Sequence, residues 1–130
     1  MFLCIFLLTD YFSQKHVSVI SNTYIRRINM NLGAIYHRTS DQYCYCLDTN
    51  SLVINIKTGY DIDHVYIIHG DPYEAGIMGG CERWNGKREE IFFKKSLKDH
   101  IWWTTTLFPE YKRCKYYFEL HCGDECMYYF

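Results

Sequence analysis

From Met30 onward, apolar and polar residues alternate with a period of two rather than the roughly 3.6 of a helix. In Ser51–Thr58, Leu52, Ile54 and Ile56 point one way and Val53, Asn55 and Lys57 the other, which predicts a half-buried strand. Gly59–Asp63 supplies a turn. His64–His69 follows as a second strand, with Val65 and Ile67 alternating against Tyr66 and Ile68. Gly70-Asp71-Pro72 ends it, because proline has no N–H for a central ladder. Tyr43–Leu47 reads as an earlier strand with Tyr43 and Tyr45 on one face and Cys44 and Cys46 on the other, packing as core.

Beyond a glycine-rich loop at Gly76–Gly80, Asn85-Gly86 signals a tight hairpin turn. Glu90–Lys95 and Ile101–Leu107 are strand candidates joined by a polar turn at Ser96–Asp99. Lys112–Cys122 is the longest strand, with Tyr116, Phe118 and Leu120 opposed to Lys115, Tyr117, Glu119 and His121. Gly123-Asp124 turns the chain into a last strand at Cys126–Phe130. Short strands with turns every 8–12 residues predict an all-β antiparallel β-sandwich of about seven to eight strands.

Residues 1–29 do not share this pattern. Phe2–Leu8 is apolar but far shorter than the roughly 20 residues of a membrane-spanning helix. No Lys or Arg precedes it and no small-residue cleavage site follows, so a secretory signal is not supported. Met30 is expected to be the natural start, with 1–29 coming from an over-extended reading frame; the alternative is a short amphipathic or membrane-associated leader. Residues 30–130 are expected to form the module, and the last strand running to the chain end predicts a missing continuation.

A length of 130 residues suits one domain with its own core. A net charge of −1 and no basic stripe argue against nucleic acid as a partner. Seven cysteines, an odd number without regular spacing, point to reduced, buried thiols in a cytoplasmic protein, and the short Phe2–Leu8 run gives no membrane span, so no membrane partner is expected. Aromatic residues make up 18% of the chain, including thirteen tyrosines, which favours strands and surfaces that meet flat partners.

A set of motifs in order then becomes specific. Ile35-Tyr36-His37-Arg38 precedes Asp41-Gln42-Tyr43-Cys44-Tyr45, Leu52–Thr58, Asp63-His64-Val65 and Gly70-Asp71-Pro72-Tyr73-Glu74. Trp102-Trp103 and Pro109–Phe118 complete it. The set resembles the N-terminal immunoglobulin-like domain (family 34 carbohydrate-binding module) of neopullulanase, cyclomaltodextrinase and maltogenic amylase, α-amylase-family glycoside hydrolases of family 13. The resemblance implies a non-catalytic, immunoglobulin-like module preceding a catalytic barrel in cis. It implies a homodimer in which the module lies across the partner's active site and binds maltooligosaccharides or cyclodextrins. The alternative is a purely structural or dimerising module with no sugar binding of its own.

The resemblance carries Tyr43 and Tyr73 over as sugar-facing positions. Asp71, beside Tyr73, is placed to accept hydrogen bonds from sugar hydroxyls. Trp84, expected near a hairpin tip, and the adjacent Trp102 and Trp103, of which one faces inward, are candidates for stacking or interface contact. The family often has an aromatic where this chain has Ala75, and an aspartate where it has Ile101. No metal or cofactor is expected. Cys122, Cys126 and His121 near one turn lack further ligands at zinc spacing and read as structural thiols beside a surface histidine. No convincing set of oxygen ligands for calcium is present. His37, His64, His69 and His100 read as ordinary surface or edge residues. The turn carboxylates Asp41, Asp61, Asp63, Asp71 and Glu74 suit backbone capping. The roughly 250 residues of a catalytic barrel do not fit this length, so the chain alone is not an enzyme.

Overall fold

The computed structural model describes residues 30–74 and 84–130. Among these residues eight strands run in order: β1 (Cys44–Cys46), β2 (Leu52–Thr58), β3 (His64–Gly70), β4 (Lys87–Glu90), β5 (Phe93–Ser96), β6 (Ile101–Leu107), β7 (Lys115–Cys122) and β8 (Glu125–Tyr129). They form two four-stranded sheets, ordered β1-β2-β6-β5 and β4-β3-β7-β8. Every strand pairing is antiparallel. The expected β-sandwich is therefore the architecture found. The leader at 1–29, Ala75 and the glycine-rich run at 76–80 lie outside the described residues.

The core forms where the period-two rows of the two sheets meet. Ile54, Ile56, Ile101, Trp103 and Leu107 of the first sheet join Val65, Ile67, Phe118 and Leu120 of the second in one buried cluster. Register explains the match: Ile56 pairs with Trp103, and Ile67 with Phe118. Paired residues share a face, so each pairing extends the apolar row sideways. Met30, Ile35, Ile62 and Ile91, from outside the strands, complete the cluster. Trp103, with 2% of its surface exposed, is the inward member of the tryptophan pair. Its indole N–H donates to the Thr58 hydroxyl at 2.8 Å, which satisfies a polar group that the core would otherwise strand.

Several expectations require correction. β2 is not half-buried: Val53 and Asn55, on its outer side, are also buried. The Asn55 amide donates to the Gln42 carbonyl at 2.6 Å, drawing the preceding turn over that face. Tyr43 belongs to this 3-10 turn (Asp41–Tyr43) and not to a strand. It is buried, whereas Tyr45 and Cys46 are exposed, so neither predicted stripe of that segment packs as a unit. The predicted strand at Glu90–Lys95 is two strands in different sheets. Ile91 turns into the core with its N–H on the Val65 carbonyl at 2.8 Å, and Phe92 is left 80% exposed at the crossing. Asn85-Gly86 does not close a hairpin; it leads into β4 at the end of a long β3–β4 connection. Gly123 does turn β7 into β8, with φ +56°, a conformation that glycine adopts without strain.

His37 is not an ordinary surface residue. Its Nδ1 lies 2.7 Å from the Asn55 carbonyl, which can only accept, so Nδ1 carries the proton. Nε2 then accepts from the Tyr116 hydroxyl at 3.0 Å. The ring thus ties β2 of one sheet to β7 of the other, edge-on to Phe118 at 4.9 Å. Burial pushes its pKa below the ordinary histidine value.

Replacing Thr58 with valine keeps the volume and leaves the Trp103 N–H unpaired. Stability is expected to fall by about 1–3 kcal/mol. In urea titration this appears as a lower midpoint at unchanged slope. An unchanged midpoint would mean that the indole N–H does not depend on Thr58.

Candidate functional site

At the end of β3 the chain leaves the sheet through Asp71-Pro72-Tyr73-Glu74. Proline fixes the first turn residue, and the Asp71 carboxylate accepts the Tyr73 N–H at 3.0 Å. The Glu74 N–H returns to the Asp71 carbonyl at 3.2 Å. Local sequence alone therefore builds a turn that lifts Tyr73 off the sheet, with its surface 49% exposed.

The turn is clamped from a distant segment. Arg113, just before β7, grips Asp71 with two parallel hydrogen bonds, Nε to Oδ1 and Nη2 to Oδ2, each 2.8 Å. Such fork-to-carboxylate contacts fix orientation as well as attraction. Lys112 immediately before it has φ +54°, a left-handed kink in the approach to this contact. The Arg113 guanidinium also lies 4.8 Å from the centre of the Tyr73 ring and 5.1 Å from that of Tyr111. One cation thus holds two tyrosines by cation–π attraction while its charge is balanced by Asp71. Arg113 and the Tyr73 amide together hold the Asp71 carboxyl below its ordinary pKa.

These groups border an open cleft of about 910 Å³ whose rim includes Phe108 and Tyr111 as well as His69 and Glu74. Three exposed aromatic rings (Tyr73, Phe108, Tyr111) therefore stand beside a fixed carboxylate and guanidinium. This combination of flat apolar faces and orienting polar groups suits a ligand with both apolar and hydroxyl-rich faces.

Trp84 is half-buried rather than exposed at a hairpin tip. Its indole N–H donates to the Asp71 carbonyl at 2.9 Å, and the ammonium of Lys115 sits 4.6 Å from its ring. A side chain at Gly86 would collide with the indole, so the glycine predicted as a turn residue makes room for this ring. Trp84 thus supports the turn from beneath.

The predicted site residues separate into three places. Asp71 and Tyr73 share the cleft, and Trp84 hydrogen-bonds the Asp71 backbone without lining the cleft itself. Tyr43 lies elsewhere, 8% exposed, with Trp102 and Tyr36 each 5.0 Å away between ring centres. Trp103 is in the core. Phe108, Tyr111 and Arg113 are cleft residues that the sequence reading did not select, although Pro109–Phe118 carried part of the resemblance.

Comparison with known proteins agrees with this architecture. Residues 30–130 match the family model of the alpha amylase N-terminal ig-like domain. A cyclomaltodextrinase from Geobacillus thermopakistaniensis (strain MAS1) is 30% identical over 106 residues, covering 77% of this chain and 16% of that protein. A maltogenic alpha-amylase from Bacillus acidopullulyticus is 33% identical over 88 residues, 65% of this chain and 14% of that protein. An intracellular maltogenic amylase from Bacillus subtilis (strain 168) is 30% identical over 91 residues, 68% of this chain and 15% of that protein. A solved cyclomaltodextrinase superposes with a TM-score of 0.65 at 26% identity, over 77% of this chain and 16% of that one. The chain thus spans about a sixth of the length of these relatives.

Because Asp71 has its folded pKa lowered, the clamp contributes at pH above the unfolded carboxyl value of about 3.9 and is lost as pH falls through the lower folded value. NMR is expected to show the Asp71 carboxyl and the Tyr73 and Tyr111 rings changing together below the ordinary carboxylate range. In Arg113→Gln the midpoint should rise toward the ordinary value. An Asp71 titrating normally in the unaltered protein would refute the clamp. By its matching residues and its fold, the chain belongs to the family of alpha amylase N-terminal ig-like domains, the non-catalytic N-terminal module of cyclomaltodextrinase-like enzymes.

Proposed function

We propose that the cleft at Tyr73 binds α-glucans, maltooligosaccharides or cyclodextrins, on behalf of a neopullulanase-like catalytic barrel joined in cis. The observation that carries this reading is the exposed Tyr73 ring held on the Asp71–Arg113 clamp beside Tyr111. Glucose rings present C–H-rich faces that stack on aromatic faces, and their hydroxyls need fixed acceptors and donors at the edge. Asp71 supplies the acceptor and Arg113 the donors, with no reorganisation on binding.

In the whole enzyme the module forms part of a homodimer and lies across the active site of the partner subunit, narrowing it toward short or cyclic glucans. Tyr43, buried against Tyr36 and Trp102, backs an aromatic patch whose exposed member, Tyr36, the partner's sugar meets once the dimer is assembled. The setting is the cytoplasm, in keeping with a relative named as an intracellular enzyme. Among the described residues no helix is long and apolar enough to cross a membrane.

The full chain, titrated with maltoheptaose and with β-cyclodextrin and followed by NMR, is expected to show saturable shifts of the Tyr73 and Tyr111 ring signals. Tyr73→Ala should abolish them while leaving the thermal midpoint in place, since the ring is half exposed. Absence of shifts at millimolar sugar would leave the module structural and dimerising, with no glycan site of its own.

A further inference from the structure

A second group of side chains converges on the outer face of the β4-β3-β7-β8 sheet, apart from the Tyr73 cleft. Glu119 and His121 stand two apart on β7 and so share a face. Cys126 is the direct cross-strand partner of His121 in β8. Their ligating atoms, a carboxylate oxygen, an imidazole nitrogen and a thiol sulfur, lie within 4.8 Å of one another. The sequence pairs Cys126 with Cys122 instead, but strand alternation sends Cys122 to the opposite face, where it packs against the core. Glu119 is the ligand that spacing around the turn does not reveal.

The geometry points to a site for a zinc-class divalent ion held by Glu119, His121 and Cys126. One sulfur, one nitrogen and one oxygen donor favour zinc and its analogue cobalt(II) over the oxygen-seeking magnesium and calcium. Three protein ligands leave a fourth tetrahedral position to solvent, and Cys126 is exposed, which gives the ion a path in. Tetrahedral ligands about 2.0–2.3 Å from zinc stand about 3.3–3.8 Å apart, so side-chain rotation on a fixed ladder is enough to close the site.

The carboxylate is already held in place. Arg88 binds Glu119 through Nε to Oε2 at 3.0 Å and Nη2 to Oε1 at 2.7 Å, and itself lies 3.5 Å over the centre of the Tyr66 ring. A metal ligand fixed by an outer hydrogen-bonding partner is a recurrent arrangement in metal sites. The remaining approach to Glu119 is the side facing His121, whose Nε2 is 2.6 Å from Oε1. An ion entering there takes the Nε2 position, with the ring proton moving to Nδ1 so that the imidazole stays neutral, and the Cys126 thiol releases its proton to solvent. Its two positive charges balance one carboxylate and one thiolate, leaving the Arg88 charge unchanged.

The test is titration of the reduced full chain with cobalt(II), followed by displacement with zinc. One equivalent is expected to produce a near-ultraviolet sulfur-to-cobalt band with tetrahedral visible bands, and zinc should remove both. Cys126→Ser should lose the sulfur band, and His121→Asn should weaken binding at least tenfold. Cys122→Ser and Cys46→Ser should leave the spectrum unchanged. Circular dichroism of each variant checks that the sheets persist; Cys126 is exposed, so its variant is expected to fold. A sulfur band that survives Cys126→Ser, binding unaffected by His121→Asn, or no saturable cobalt spectrum would each overturn the assignment.

Discussion

Everything positioned in this molecule depends on the dry contact between two rows of side chains. Ile54, Ile56 and Trp103 on one sheet meet Val65, Ile67, Phe118 and Leu120 on the other, and nearly all are fully buried. A single residue of slip between paired strands would turn every one of these outward. The contact therefore fixes register, and register fixes which side chains project from the ends and outer faces. The Asp71 turn begins where β3 stops, and Arg113 reaches it from just before β7, β3's ladder partner.

Polar groups reinforce this arrangement where apolar burial cannot discriminate. The Trp103–Thr58 bond holds a large indole in one orientation within the first sheet. His37 links the sheets with a defined tautomer, donating to β2 and accepting from β7. Arg88 spans from β4 to Glu119 on β7, across β3, whose Tyr66 ring supports it. Each bridge satisfies partners that its own strand leaves open, and buried polar groups satisfied in this way specify a unique packing.

The sequence made the long strands legible because β2, β3, β6 and β7 each present a mostly apolar row at period two. It did not reveal the break at Ile91. Glu90–Lys95 reads as one short strand-forming run, and only the need for Ile91 in the core, with Phe92 discarded to solvent, shows the change of sheet. Tyr43 was equally opaque, since its burial depends on Tyr36 and Trp102 brought together by the fold. In the cleft, Asp71-Pro72-Tyr73 announces itself through local turn chemistry. Arg113 lies 42 residues further along. No local rule connects the two. The Glu119–His121–Cys126 group was hidden for the same reason: spacing around a turn does not say which of two nearby cysteines faces the histidine.

The crossing at Ile91 also governs how the molecule comes apart. Among the described residues, β4 pairs only with β3, and β5 only with β6, yet two residues separate them. β4 and β5 therefore both reach their ladders only when the two sheets lie face to face. The connection therefore acts as a rivet between the layers: half-formed sandwiches gain little, and loss of one sheet pulls an edge strand from the other. Cooperative, all-or-none unfolding is the consequence, along with the slow folding typical of chains whose native pairings are mostly non-local.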